Sequence, residues 1–181
     1  MKLLTLNLIF LLLGTSVNAQ RVISTEQTSE YSTYVKGNNF EGVIFSKEYQ
    51  MPFSENPPVE KRFTPSIEDI ELVEKLLNEQ LKNINNGVNQ GKHLGPKIHK
   101  KLKKYQRQYI GFISEQGEQY IYLSCNWQRY NLFDRIRGFS PPDDGWKTEF
   151  WIVFDGGSYH WNIKINLDKQ ELSDLSVNGV A

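Results

Sequence analysis

Residues 159–167 alternate without a slip. Tyr159, Trp161, Ile163, Ile165 and Leu167 fall on one side; His160, Asn162, Lys164 and Asn166 fall on the other. A period of two over that length dictates a strand with one dry and one wet face, and a one-residue slip of register would invert both. Immediately upstream, Asp155-Gly156-Gly157-Ser158 places two glycines where a primed turn needs positive φ. Residues 147–154 are apolar on both sides, with Phe150, Ile152 and Phe154 on one and Trp151 and Val153 on the other. That pattern suits a more central strand, so residues 147–167 read as a hairpin.

A different period governs residues 66–86. Ile67, Ile70, Val73, Leu77, Leu81 and Ile84 recur at steps of three and four, one apolar stripe of a helix. Thr64-Pro65 offers one N-terminal cap and Ser66-x-x-Asp69 another, one register later. Glu68, Asp69, Glu71 and Glu74 crowd the early turns, where the helix dipole favours them, and Asn85-Asn86-Gly87 supplies a stop.

The remaining elements are shorter. Residues 40–49 read as a strand and 51–65, with four prolines, as an extended connector. A short helix after Pro96 gives way near Lys104 to a strand, which turns at Glu115-Gln116-Gly117-Glu118 into a further strand. Residues 172–181 offer a last short strand through Leu175 and Val177. The expected fold class is α+β: one long amphipathic helix packed on a curled antiparallel sheet of about four to six strands. That layout resembles the cystatin-like and NTF2-like folds. The pieces RQYIG (107–111), DGGSYHW (155–161) and NGVA (178–181) also resemble those of an uncharacterised family of small exported bacterial proteins, a likeness that implies no activity. The cystatin likeness implies no inhibition either, because the hairpins read SEQGEQ and DGGS where a cystatin carries Gln-x-Val-x-Gly.

The N-terminus has its own logic. Lys2, an apolar run from Leu3 to Leu13 and small residues ending at Ala19 have the form of a secretory signal, too short to span a bilayer. Residues 1–19 are therefore expected to be removed, 20–39 to form a flexible lead-in with a weak strand at 31–35, and 40–181 to form a single domain. The expected location is periplasmic or secreted. The whole chain is formally neutral, so no global field draws it to nucleic acid or membrane. One cysteine, Cys125, excludes an internal disulfide and leaves stability to the core.

Candidate chemistry is sparse. Seven cations and no acid lie between Lys92 and Arg107, the pattern of a solvated basic face or an anion site. His93 and His99 are six apart and share no helical face, so no metal and no cofactor is expected. Cys125 and His160 fall on opposite strand faces, against a thiol nucleophile. The best candidate is the long segment 128–146, whose aromatic and arginine content matches recognition hot spots. It gives Tyr130, Arg135, Arg137 and Trp146 as ligand-binding residues, an aromatic platform with an anion clamp. Its bland alternative is a crossover, capped at Asn131 and stopped at Gly138, whose Leu132, Phe133, Ile136 and Phe139 close the end of the sheet. The expected function is an exported, non-enzymatic binding domain for a small ligand, glycan or peptide. The alternatives are a small NTF2-like hydrolase or isomerase, and an envelope adaptor that pairs through a sheet edge.

Overall fold

The computed structural model describes residues 20–52, 61–84, 89–91, 94–127, 130 and 132–179. The leader, the helix stop at 85–87, His93 and Asn131 lie outside them. Helix α1 spans Ile67–Ile84. Of the two candidate caps the chain uses Ser66: its backbone N–H donates to Asp69 Oδ2 at 2.8 Å, and Asp69 N–H donates back to Ser66 Oγ at 3.1 Å. Two orphan donors of the first turn are thereby satisfied reciprocally. The apolar stripe buries Ile70, Val73, Leu76, Leu77 and Leu81.

The fold is mostly sheet, and the expected cystatin-like or NTF2-like layout of four to six antiparallel strands is overturned. Among the described residues eight strands form one sheet: β1 (Val22–Ser29), β2 (Ser32–Gly37), β3 (Glu41–Phe45), β4 (Arg62–Phe63), β5 (Gln106–Ile113), β6 (Gln119–Asn126), β7 (His160–Asn166) and β8 (Glu171–Val177). Their order is β1-β2-β3-β5-β6-β7-β8, with β4 pairing to β5 off that path. β3 and β5 pair in parallel, from Glu41↔Gln106 to Phe45↔Ile110. A parallel pair needs a long crossover, and α1 supplies it. Residues 20–39 are likewise no flexible lead-in: β1 and β2 form the outer hairpin of the sheet. β1 is mostly exposed and β2 buries only Val35 among its larger apolar side chains, so the pair carries little hydrophobic periodicity to read.

The hairpin expected at 147–167 is also corrected. Gly156 and Gly157 do take positive φ, 88° and 56°. The chain then makes a single 3₁₀ turn at Gly157–Tyr159 before entering β7. Among the described residues the upstream arm joins no ladder; residues 150–154 lie over Tyr122, Ser124, Asn126 and Asn162 on one face of the sheet. Phe150 is buried, Trp151 and Val153 are half-buried, and Ile152 and Phe154 are exposed, as in a strap lying on the sheet and not a strand within it.

The sheet therefore has two covered faces. On one, α1 packs on Ile44, Tyr109, Ile121, Leu123, Ile163 and Ile165 in the main core. The helix reaches both ends of the sheet: Glu71 Oε1 accepts from Val22 N–H at 2.8 Å, and Gln80 Nε2 donates to Gln170 O at 2.8 Å. Inside this core sits an ion pair, Glu74 Oε1 to Arg107 Nε at 2.7 Å, both side chains 1% exposed. Tyr109 Oη donates to the same Glu74 oxygen at 2.8 Å, and Arg107 also donates to Tyr105 O and Leu102 O at 2.8 and 3.2 Å. Burial pushes the Glu74 carboxyl upward, and Arg107 and Tyr109 pull it back. β3 passes so close to this group that a Cβ on Gly42 would lie 2.5 Å from Tyr109 Cε2 and 2.9 Å from Arg107 Cβ. Only glycine leaves room there.

On the opposite face a smaller core gathers Val43, Phe45, Ile110, Trp146 and Phe150. The strap lies over the part of that face formed by Tyr122, Ser124, Asn126, His160 and Asn162.

Candidate functional site

Strand parity sends different chemistry to the two faces of β6 and β7. Leu123, Cys125, Trp161 and Ile163 go to the helix side. Ser124, Asn126, His160 and Asn162 go to the strap side, and the register pairs Ser124 with Asn162 and Asn126 with His160. Asn162 in turn pairs with Ser176 of β8. The result is a tile of uncharged polar side chains on adjacent strands. Ser124 and Asn126 are buried, although burying polar groups is unfavourable unless they find partners.

The strap is what buries them. Gln108, itself 1% exposed, holds one end with its whole carboxamide. Its Nε2 donates to Trp146 O and Glu149 O, both at 2.8 Å, and its Oε1 accepts from Trp151 N–H at 2.9 Å. Tyr49 Oη accepts from Phe150 N–H at 2.9 Å. At the far end Asn178 Nδ2 donates to Val153 O at 2.5 Å and to Asp155 O at 3.1 Å. Side-chain amides thus satisfy backbone groups that a strand ladder would otherwise pair.

Between strap and tile lies a cavity of about 250 Å³. Ser124, Asn126, His160, Asn162 and Asn178 supply its polar lining, with Trp151, Tyr122 and Phe150 among its aromatic walls. Among the described residues no Asp, Glu, Lys or Arg lines it. Asn126 Oδ1 lies 2.9 Å from His160 Nδ1, and Asn126 Nδ2 donates to Ser124 Oγ at 3.3 Å. With Asn126 Oδ1 accepting, His160 carries its proton on Nδ1 and keeps Nε2 as an acceptor. Burial holds the His160 imidazole below its ordinary pKa, against the opposing charge of Asp155. Burial also raises the Tyr122 phenol. Both groups are therefore neutral near pH 7. Asn162 makes no side-chain hydrogen bond among the described residues, so its carboxamide keeps two donors and an acceptor. The arrangement can hold a small neutral ligand by hydrogen bonds.

The residues singled out by sequence do not converge on this cavity. Trp146 is 2% exposed and packs edge-on to Tyr34 at 6.0 Å in the smaller core, so it offers no platform to a ligand. Arg135 and Arg137 are exposed, on and just after the short helix α3 (Leu132–Ile136). Tyr130 Oη donates to Phe139 O at 3.0 Å. Gly138 ends α3 at φ 80°, where its stop was expected. Leu132, Phe133, Ile136 and Phe139 do not close the sheet, however, being 61–71% exposed.

Cys125 and His160 lie on opposite faces as parity requires, and burial pushes the thiol well above its ordinary range. Of the basic run, Lys97, Lys100, Lys101, Lys103 and Lys104 are exposed, while Arg107 is withdrawn into the core. Among the described residues no cluster of His, Cys, Asp or Glu could hold a metal. None of the described helices is long and apolar enough to cross a membrane. The polar tile was present in the sequence as the wet face of residues 160–166; what hid its role was the strap, whose position no local pattern encodes.

No family model, curated protein or solved structure matches this chain, so the likeness of RQYIG, DGGSYHW and NGVA to a family of exported proteins gains no support.

Proposed function

We propose that the protein is an exported, non-enzymatic binding domain whose ligand is small and uncharged and enters the cavity between strap and sheet. The observation that carries this reading is the cavity lining: five uncharged hydrogen-bonding side chains beside aromatic walls, with no charged group among them. Binding sites combine a largely apolar concavity with a few placed polar groups, and a volume near 250 Å³ suits a ligand below drug size. Export rests on the form of residues 1–19 alone. The site lies on the face of the sheet, and neither Tyr130, Arg135, Arg137 nor Trp146 lines it. A hydrolase or isomerase in this cavity would have, among the described lining residues, His160 and Tyr122 as its ionisable groups, with Asp155 acting on His160 only from outside the lining.

The test is a ligand-observed NMR screen of neutral fragments, followed by amide shift mapping. Binding that perturbs Ser124, Asn126, His160 and Asn162 and is lost in Asn162→Leu supports the reading. Binders that shift only residues 130–139 would overturn it and restore the arginine-lined segment as the site. A screen without binders at millimolar concentration would overturn it too.

A further inference from the structure

We infer that the ligand is a neutral sugar, a single pyranose unit held edge-on by the polar tile and flanked by the aromatic walls; this rests on the binding reading above. Three features of the cavity select that chemistry. The first is hydrogen-bonding capacity that the protein leaves open. The Asn162 carboxamide both donates and accepts and is not engaged by another side chain among the described residues. His160 keeps Nε2 as an acceptor while Nδ1 is committed to Asn126 Oδ1 at 2.9 Å. Adjacent groups that donate and accept match a row of vicinal hydroxyls, each of which does both.

The second feature is neutrality. Among the described residues no charged side chain lines the cavity, and burial favours the uncharged imidazole. A carboxylated or protonated amino sugar would lose its hydration there without an ionic partner. The third is the mixed wall. Trp151 and Tyr122 combine a flat apolar surface with a polar atom, which suits the C–H face of a pyranose and its hydroxyl rim together. A purely apolar ligand would fit the walls and leave the tile unpaired, a loss the site is poorly built to absorb.

The experiment is a titration of the protein, followed by tryptophan fluorescence and amide shifts. The probes are methyl glucopyranoside, methyl galactopyranoside and N-acetylglucosamine. Glucuronate and glucosamine serve as charged analogues, and indole and acetamide as neutral non-sugars. The expected result is saturable binding of at least one neutral sugar with shifts at Ser124, Asn126 and Asn162. The charged analogues should bind at least tenfold more weakly. Asn162→Ala should weaken the sugar at least tenfold with an unchanged unfolding transition; should that variant fold poorly, Asn162→Ser reads the same loss. Indole or acetamide binding in the cavity while no sugar does would overturn the sugar assignment and leave the binding reading standing. A charged analogue binding as tightly as its neutral parent would also overturn it. No probe perturbing the tile would overturn both.

Discussion

The same strands, β6 and β7, build two unlike surfaces, and the contrast separates what stabilises this protein from what it offers a partner. On the helix side, Leu123, Cys125, Trp161 and Ile163 meet α1, and the buried charges Glu74 and Arg107 are joined to each other and to Tyr109. On the strap side, Ser124, Asn126, His160 and Asn162 meet an extended segment held by side-chain amides, with hydrogen-bonding capacity to spare. A closed polar network makes a core specific, whereas an incompletely engaged one beside a cavity is a place for a ligand. Substitutions on the helix side should therefore change stability, and those in the tile should change binding.

The largest effect is expected at the buried ion pair. Arg107→Leu or Glu74→Leu alone strands the other charge and should cost about 3–5 kcal/mol by urea unfolding. The double variant should be far less destabilised than the sum of the two, because no charge is left without its counterpart. Additive losses would show that the pair is not coupled as described. Next comes Gln108→Ala, which removes three hydrogen bonds from one end of the strap. A cost of about 1–3 kcal/mol is expected, with faster amide exchange at Trp151; unchanged exchange there would remove Gln108 as the anchor.

A pH prediction follows from His160. Its folded pKa lies below the ordinary 6.5, so between those two values the unfolded chain binds more protons. The contribution is complete above about pH 6.5 and is lost as pH falls through the folded value. Thermal unfolding of the wild type should lose more on going from pH 7.5 to 5 than that of His160→Asn. Glu74, raised by burial, acts in the opposite sense, and the paired comparison cancels it. Equal losses would contradict a buried neutral imidazole. The smallest stability effects are expected for Asn162→Ala and for Arg135→Ala with Arg137→Ala, each within about 0.5 kcal/mol. Of these only the first should impair ligand binding.

Legibility in the sequence followed periodicity. Helix α1 announced itself through its stripe and the Ser66–Asp69 cap, and β7 through nine alternating residues. Glu74 was readable but masked: it sits four residues after Ile70 and three before Leu77, on the buried stripe, yet it resembled the other acids of the early turns. Arg107 was lost in the same way among lysines, although it shares strand parity with Tyr109. β1 and β2 carry too little apolar alternation to stand out, and the parallel pairing of β3 with β5 is set by the crossover, which no local window contains. The strap departs from its pattern because Ile152 and Phe154 stay exposed, and local periodicity does not say which apolar side chains find cover.

The account stands or falls on where residues 150–154 lie. Side-chain NOEs measure this directly. Contacts from the Val153 methyls and the Trp151 ring to Ser124, Asn126 and Asn162, without a backbone ladder between 150–154 and β7, are the predicted result. A continuous ladder joining those two segments as a hairpin would abolish the cavity and contradict the account.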